Sequence, residues 1–216
     1  MNSKVFLVTR PNFDPATHYI YHWSEVVIAE AKKKQMLVLD IKGKDVTHKT
    51  LLSYSKKHKP ALILFNAHGS DTEIFGHLNE TLIDLDTKDI SFINAIVYAR
   101  SCNSAAKLGP VLVKNGIKTF IGYSQEFAIC QTNQKISNPV GDNIAKLFLE
   151  PSNIIPVSLI KGNTAKQSHL KSIEMMKKNL YHMLSSKATL EERNSASFLW
   201  RNMKYQTVIG DNQAQI

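Results

Sequence analysis

Residues 61–69 read ALILFNAHG, a mostly apolar run followed at once by His68 and Gly69. A similar arrangement returns in residues 93–104, INAIVYARSCNS, where an apolar run is followed by Cys102. Short apolar runs bounded by polar residues are typical of strands buried on both faces of a parallel sheet. In such sheets, functional side chains gather beyond the carboxyl ends of the strands. The two runs therefore predict buried strands that carry His68 and Cys102 at their functional ends.

Further strand-like runs lie on both sides of this pair, and helical patterns separate them. The other strands are predicted at residues 4–9, 36–41, 118–123 and 204–209. Helices are predicted at residues 19–34, 46–57, 105–115, 140–149 and 163–185, and a small hairpin is predicted around Gly76. Strands that alternate with helices indicate an α/β fold with a mostly parallel sheet covered on both faces. No change in composition divides the chain, so one domain over residues 1–216 is expected.

Local signals set the expected limits of the later helices. Pro151 is expected to stop the helix 140–149, because proline lacks the N–H that the next turn needs. Residues 185–196 are expected to form a surface loop or a short helix. The face that the helix 163–185 is expected to bury consists of Leu170, Ile173, Met176, Leu180 and Leu184.

The composition excludes several classes of protein. Two cysteines rule out a disulfide scaffold, and the eight histidines show no paired-ligand spacing, so no metal is expected. The net charge of +9 is spread over lysines of predicted helix faces without an RNA-binding module, so no nucleic-acid partner is expected. No apolar run approaches the length of a membrane span, and no signal peptide is recognised. These features predict a cytoplasmic protein with two free thiols and no membrane partner.

A histidine and a cysteine at the same edge of a sheet are the minimum for a cysteine nucleophile. If their strands pair, the imidazole of His68 takes the thiol proton of Cys102 or holds the thiolate as an ion pair. The N-terminus of the helix 105–115 is expected to lower the pKa of this thiol. The backbone N–H groups of Gly69 and Cys102 could form an oxyanion hole. From the residues alone, a structural cysteine and a turn histidine are equally open.

Residues 62–76, with His68-Gly69 and the later Gly76, resemble the caspase pattern of an apolar strand, His-Gly and a second glycine. Residues 96–102 resemble the strand that ends in the nucleophile of that clan, clan CD. Residues 116–123 and the closing segment 200–211 resemble its CHAT branch, so the likeness covers nearly the whole chain.

This resemblance implies a caspase-hemoglobinase fold, a three-layer sandwich with a central sheet of about six strands. It also implies a cysteine endopeptidase in which His68 is the general base and acid and Cys102 is the nucleophile, with no cofactor. A third orienting group is not required in the family, and none is assigned. The chain lacks the Gln-Ala-Cys-Arg-Gly run of animal caspases and shows no acidic processing site, so a single uncut chain is expected.

The family also indicates where the residues that select the P1 side chain should lie. These positions follow the first strand and the strand after the nucleophile, and they hold Arg10 and Ser124-Gln125-Glu126. Arg10 favours an acidic P1 residue, whereas Glu126 favours Lys or Arg. Glu126 is preferred because many clan relatives outside the caspases select a basic residue, and an apolar P1 residue stays open. The second thiol, Cys130, is interpreted as a structural core cysteine.

Three functions are weighed. The first is a protease that cleaves protein or peptide substrates. The resemblance alone implies its setting, in which it is a regulated effector of a bacterial defence or cell-death pathway with an activating protein partner. The second is a catalytically silent CHAT-like scaffold that binds protein partners, against which the presence of both His68 and Cys102 argues. The third is an unrelated nucleotide-binding domain, but residues 10–14 offer no glycine for a phosphate after the first strand.

Overall fold

Six strands form the central sheet of the structure, a computed structural model that describes residues 3–87 and 92–216. In chain order these strands are β1 (Val5–Arg10), β2 (Leu37–Lys42), β3 (Leu62–Asn66), β6 (Ile96–Arg100), β7 (Thr119–Tyr123) and β8 (Gln206–Gly210). Strands β4 (Glu73–Phe75) and β5 (Thr81–Asp84) pair separately as an antiparallel hairpin. The sheet order is β2-β1-β3-β6-β7-β8, and every pair is parallel except β7 with β8. The prediction of a mostly parallel sheet of about six strands is confirmed.

Helices cover both faces of this sheet. They are α1 (Pro15–Trp23), α2 (Glu25–Lys33), α3 (His48–His58), α4 (Leu108–Lys114), α5 (Asn143–Ile160), α6 (Ala165–Met183) and α7 (Leu190–Tyr205). Successive strand residues point to opposite faces, so Leu62 and Leu64 join the core under α1, α2 and α5, whereas Ile63 and Phe65 join the core under α3 and α4. In the part of the chain that is described, no helix is both long enough and apolar enough to cross a bilayer.

The single helix expected over residues 19–34 is divided in two at Ser24. The Ser24 hydroxyl donates to the carbonyl of Ile20 at 2.6 Å, and the backbone N–H of Ser24 donates to the same carbonyl at 3.1 Å. A serine that bonds back to the preceding turn commonly bends or interrupts a helix.

The prediction that Pro151 stops a helix is wrong, because α5 continues through both Pro151 and Pro156. A proline at position 151 cannot donate to the carbonyl of Leu147, one turn earlier. The side-chain amide of Asn179 on α6 supplies this donor, with a distance of 2.8 Å from Nδ2 to the Leu147 carbonyl oxygen. A donor from a neighbouring helix thus replaces the bond that the proline removes.

We expect the Asn179→Ala variant to lose about 1–2 kcal/mol of unfolding free energy, because the Leu147 carbonyl loses this donor. In a Pro151→Ala background the new backbone N–H can bond the same carbonyl, so the Asn179→Ala change should cost about half as much or less. Urea unfolding of the four proteins measures this coupling. Equal costs in the two backgrounds would contradict the role assigned to Asn179.

Helices α6 and α7 differ most from the sequence-based expectations. Met176 and Leu180 are buried as expected, but Leu170 and Leu184 are 50% and 70% exposed, so that part of the predicted face is wrong. The row that α6 does bury is Ala165, Ser168, Ser172, Met176, Leu180 and Met183. Residues 185–196, expected to form a surface loop or a short helix, are helical from Leu190 onward, where they form the first part of the 16-residue helix α7. A capping box between Thr189 and Glu192 starts this helix and was its overlooked sequence signal.

Candidate active site

His68 and Cys102 follow two strands that are neighbours in the sheet. Strands β3 and β6 pair in parallel, with Asn66 opposite Arg100 at the last pair. The segments that follow the two strands therefore leave the sheet side by side at its carboxyl edge. Both side chains line one cavity of about 220 Å³. The cavity is lined by Ala16, Thr17, Ile20, Ala67, His68, Ser101, Cys102, Phe127 and Ile129.

Gly69 allows the segments after β3 and β6 to touch. A β-carbon built on Gly69 would lie 2.9 Å from the β-carbon of Ser101 and 3.1 Å from the carbonyl oxygen of Cys102. It would also lie 3.1 Å from the carbonyl oxygen of Glu73 in the hairpin. Backbone atoms on two sides cannot move away together, so only glycine fits between them.

The backbone N–H groups of Gly69 and Cys102 donate to no acceptor within residues 3–87 and 92–216. Gly69 faces Ile74 in an isolated antiparallel bridge. The two hydrogen bonds of this bridge are made by the flanking residues: the N–H of Ser70 donates to the Glu73 carbonyl, and the N–H of Phe75 donates to the His68 carbonyl. In a pair of this kind, the N–H of the facing residue points away from the other strand. Both N–H groups are thus free of intramolecular acceptors, which the expected oxyanion hole requires.

Asp14 is a site residue that the sequence reasoning missed. One carboxylate oxygen, Oδ1, accepts from the backbone N–H of Thr17 at 2.8 Å and caps α1, while Oδ2 lies 2.6 Å from Nε2 of His68. A carboxylate only accepts, so Nε2 carries the proton and Nδ1 is left as the basic nitrogen of the neutral imidazole. Burial raises the pKa of Asp14, but the bonds from Thr17 and His68 outweigh burial and hold the pKa below its ordinary value.

The sequence did contain a signal for Asp14. An Asp-Pro pair is typical of a helix N-cap followed by its first residue, and here it comes shortly after the strand β1. Strand β1 pairs with β3, so the segment after β1 meets the segment that carries His68. The strand order that makes this neighbourhood could not be deduced from local patterns.

The thiol of Cys102 is partly buried, and its Sγ lies 3.9 Å from the carbonyl oxygen of Phe127. Burial raises the pKa of this thiol, and the nearby charge of Glu126 acts in the same direction. The predicted lowering of the pKa by a helix N-terminus is wrong, because α4 begins only at Leu108. The field of a helix terminus falls off within about one turn and does not extend to Cys102.

Arg10 lies outside the cavity in this structure. Its side chain is buried and forms ion pairs with Glu25 and Asp40. It also donates to the carbonyl of Tyr21 at 3.1 Å, and its guanidinium lies 4.3 Å from the centre of the Tyr21 ring. These partners give Arg10 a structural role that ties β1 to β2 and to the helical layer.

The segment Ser124-Gln125-Glu126 lies beside the cavity without lining it. Glu126 is exposed and pairs with Arg201 of α7 at 3.0 Å. The Gln125 carbonyl accepts from the backbone N–H of Asn103 at 2.9 Å, and this bond connects the segment to the one that carries Cys102. The cavity is lined instead by Phe127 and Ile129, which follow directly in the chain.

The second thiol, Cys130, packs against the apolar cluster between α5, α6 and α7. Burial raises its pKa as well. Its surroundings agree with the structural interpretation. Across residues 3–87 and 92–216, no three His, Cys, Asp or Glu side chains are grouped so that they could hold a metal ion.

Comparison with known proteins gives similarity at the level of the fold. No protein-family model matches the sequence, and no curated protein matches it. The structure is similar to the Arg-specific cysteine proteinase gingipain R, with a TM-score of 0.65 and 11% identity over 99% of this chain and 47% of that chain. It is also similar to the complex of the pro- and mature domains of RgpB from Porphyromonas gingivalis, with a TM-score of 0.61 and 10% identity over 99% and 48% of the two chains.

The chain thus spans about half the length of these solved proteins. At this level of identity, the likeness establishes the fold, which is the caspase-like α/β fold that they share. The fold expected from the sequence is confirmed.

Proposed function

We propose that this chain is a cysteine endopeptidase in which Cys102 is the nucleophile, His68 the general base and acid, and Asp14 the group that orients His68. The observation that carries the proposal is one cavity lined by a thiol and an imidazole, with the imidazole held through Nε2 by a carboxylate. A nucleophile, a base and an orienting group are the recurring parts of covalent acyl transfer. The gingipain-like fold supports the proposal, since one of the similar structures is named a cysteine proteinase.

In the acylation step, the Cys102 sulfur forms a bond to the carbonyl carbon of the scissile peptide as its proton passes to His68. The carbonyl oxygen becomes an oxyanion and accepts from the free N–H groups of Gly69 and Cys102. His68 then gives its proton to the nitrogen of the leaving amine while the C–N bond breaks. A thioester and a free amine result.

In the deacylation step, water attacks the thioester carbon and gives a proton to His68. The C–S bond breaks, the carboxylic acid product leaves, and the proton returns to the sulfur of Cys102. Burial raises the pKa of this thiol, which favours its protonated form in the resting enzyme. Proton transfer to His68 therefore belongs to the attack itself rather than to a preformed ion pair.

Active-site labelling tests this proposal. Peptide acyloxymethyl ketones with an acidic, a basic and an apolar P1 residue are incubated with the folded protein, and the adducts are mapped by mass spectrometry. We expect a single adduct on Cys102, formed faster than on the same protein unfolded in urea. Cys130 serves as an internal control thiol, and equal labelling of both cysteines would contradict the assignment.

A catalytically silent scaffold that binds protein partners is the second candidate. The observation that favours it is the partly buried thiol of Cys102, because burial raises its pKa whereas reactive cysteines commonly have a lowered pKa. The scaffold predicts no adduct on Cys102 with any of the three peptides. The CHAT branch and the effector role in bacterial defence or cell death rest on the sequence resemblance, and the cytoplasmic location rests on the composition; all three stay predictions.

A further inference from the structure

The cavity beside the proposed dyad has a mostly apolar wall. Apart from the dyad, seven residues line it, and none of the seven carries a charge. Five of them are apolar, namely Ala16, Ile20, Ala67, Phe127 and Ile129. The volume of about 220 Å³ exceeds the roughly 150 Å³ of an apolar protein cavity that holds benzene. The cavity is therefore large enough for a branched aliphatic or a phenyl side chain.

The two hydroxyl groups of the wall are already used by the fold. The Thr17 hydroxyl donates to Asp14, within the capping box that starts α1. The Ser101 hydroxyl donates to the hydroxyl of Ser104 at 2.8 Å. A polar side chain that enters the cavity thus finds no spare hydroxyl donor in this wall, although burial removes its bonds to water.

The charged residues around the cavity are also engaged elsewhere. Both carboxylate oxygens of Asp14 are used, one by the cap of α1 and the other by His68. Arg10 and Glu126, which the sequence predicts to select P1, lie outside the lining, and each forms an ion pair. A charged side chain that enters the cavity would therefore lose its hydration without gaining a counter-charge, which is costly.

One wall of the cavity is held in place by a buried residue of α7. Between Phe127 and Ile129, the backbone N–H of Ala128 donates to Oδ1 of Asn202 at 2.9 Å, and Nδ2 of Asn202 donates to the Ala128 carbonyl at 2.7 Å. Asn202 is 0% exposed, so water does not compete for these two bonds. The Phe127 ring also packs on the Tyr123 ring, with 4.6 Å between ring centres. These contacts keep the apolar wall formed in the absence of a substrate.

We propose that this cavity binds the P1 side chain of the substrate and selects an apolar one, namely leucine, methionine or phenylalanine. The inference rests on the peptidase activity proposed above. The P1 α-carbon is bonded to the carbonyl carbon that Cys102 attacks, so the P1 side chain is the substrate side chain closest to the sulfur. Cys102 itself lines the cavity, so this side chain is next to it during the attack. An apolar side chain gains from leaving water and gives up no hydrogen bond.

The test measures the rate of adduct formation on Cys102 with acyloxymethyl ketone peptides that differ only at P1, namely Leu, Phe, Ala, Asn, Asp and Lys. The Asn peptide matches the Leu peptide in shape but carries an amide. We expect the Leu peptide to react about 30-fold faster than the Asn or Ala peptide, as burial of an aliphatic side chain requires. The Asp and Lys peptides should react slowest, because the cavity offers no counter-charge.

Variants of the wall test whether this preference arises in the cavity. Ala16→Leu fills part of the cavity at a helical position that favours leucine, so the preference for Leu over Ala at P1 should fall to about threefold or less. Ala29→Leu makes the same change at an exposed position of α2 and should leave the preference intact. Ile129→Ala enlarges the cavity and should shift the preference from Leu toward Phe by about fivefold. This last variant decides if Ala16→Leu does not fold or is not labelled.

The outcomes separate this inference from the proposed peptidase. A wild-type rate with the Ala, Asn, Asp or Lys peptide that equals or exceeds the rate with the Leu peptide overturns this inference alone. An unchanged P1 preference in Ala16→Leu that folds and is labelled, or in folded Ile129→Ala, does the same. Absence of any Cys102 adduct on the wild type overturns the proposed peptidase, and the inference with it.

Discussion

The Cys102→Ala variant is expected to lose peptide hydrolysis by a factor of about 10⁴ or more, because it removes the atom that forms the covalent intermediate. Its unfolding free energy should change little, since Cys102 is only partly buried. The measurement is kcat/KM on the peptide that labels the wild type fastest, together with intact-mass analysis of the adduct.

The matched control is Cys130→Ala, which removes the other thiol of the chain. Cys130 packs against the cluster between α5, α6 and α7, so this change should lower stability slightly and leave kcat/KM within about twofold. Loss of activity in Cys130→Ala with retention in Cys102→Ala would contradict the assignment of the nucleophile.

The Asp14→Asn variant is expected to lower kcat/KM by about 10²- to 10⁴-fold while the helix α1 stays capped. The amide oxygen must accept from the backbone N–H of Thr17, as Oδ1 of Asp14 does now, so the amide nitrogen is turned toward His68. A donor at that place makes Nε2 of His68 an acceptor and moves the imidazole proton to Nδ1. The imidazole then has no basic nitrogen left for the thiol. Nitrogen-15 NMR of the histidines measures the change of tautomer directly.

The pH dependence of stability checks the same contact. The pKa of Asp14 is lower in the folded protein than its ordinary value, so the ionised form stabilises the fold. The wild type should therefore be more stable than Asp14→Asn above the ordinary carboxyl pKa of about 4, and this advantage should vanish as the pH falls through the folded-state pKa. Asp45→Asn, at an exposed position outside the cavity, is the control and should leave kcat/KM unchanged. Full activity in Asp14→Asn would show that His68 needs no orienting carboxylate.

Short-range patterns were sufficient to place the strands of the sheet along the chain and to identify the two residues of the proposed dyad. The buried strands β3 and β6 are continuous apolar runs, and a parallel sheet needs such runs because helices cover both of its faces. His68 and Cys102 follow these strands directly, so placing the strands also placed the side chains at one edge. The errors in the helical half arise from contacts between distant segments. The donor that lets α5 pass Pro151 comes from Asn179, and the face that α6 buries is set by its packing against α5 and α7.

The amino-acid sequence by itself determined the fold class, the order of the strands along the chain and the positions of His68 and Cys102, because hydrophobic periodicity and the ends of strands are local properties. The tertiary structure alone decided which residues surround that pair. It brought Asp14 to His68 through the pairing of β1 with β3, partly enclosed the thiol of Cys102 so that its pKa rises, and gave Arg10 the carboxylate partners Glu25 and Asp40. The physical reason is that ion pairing and desolvation depend on distances between segments far apart in the chain, and those distances exist only after the sheet has formed.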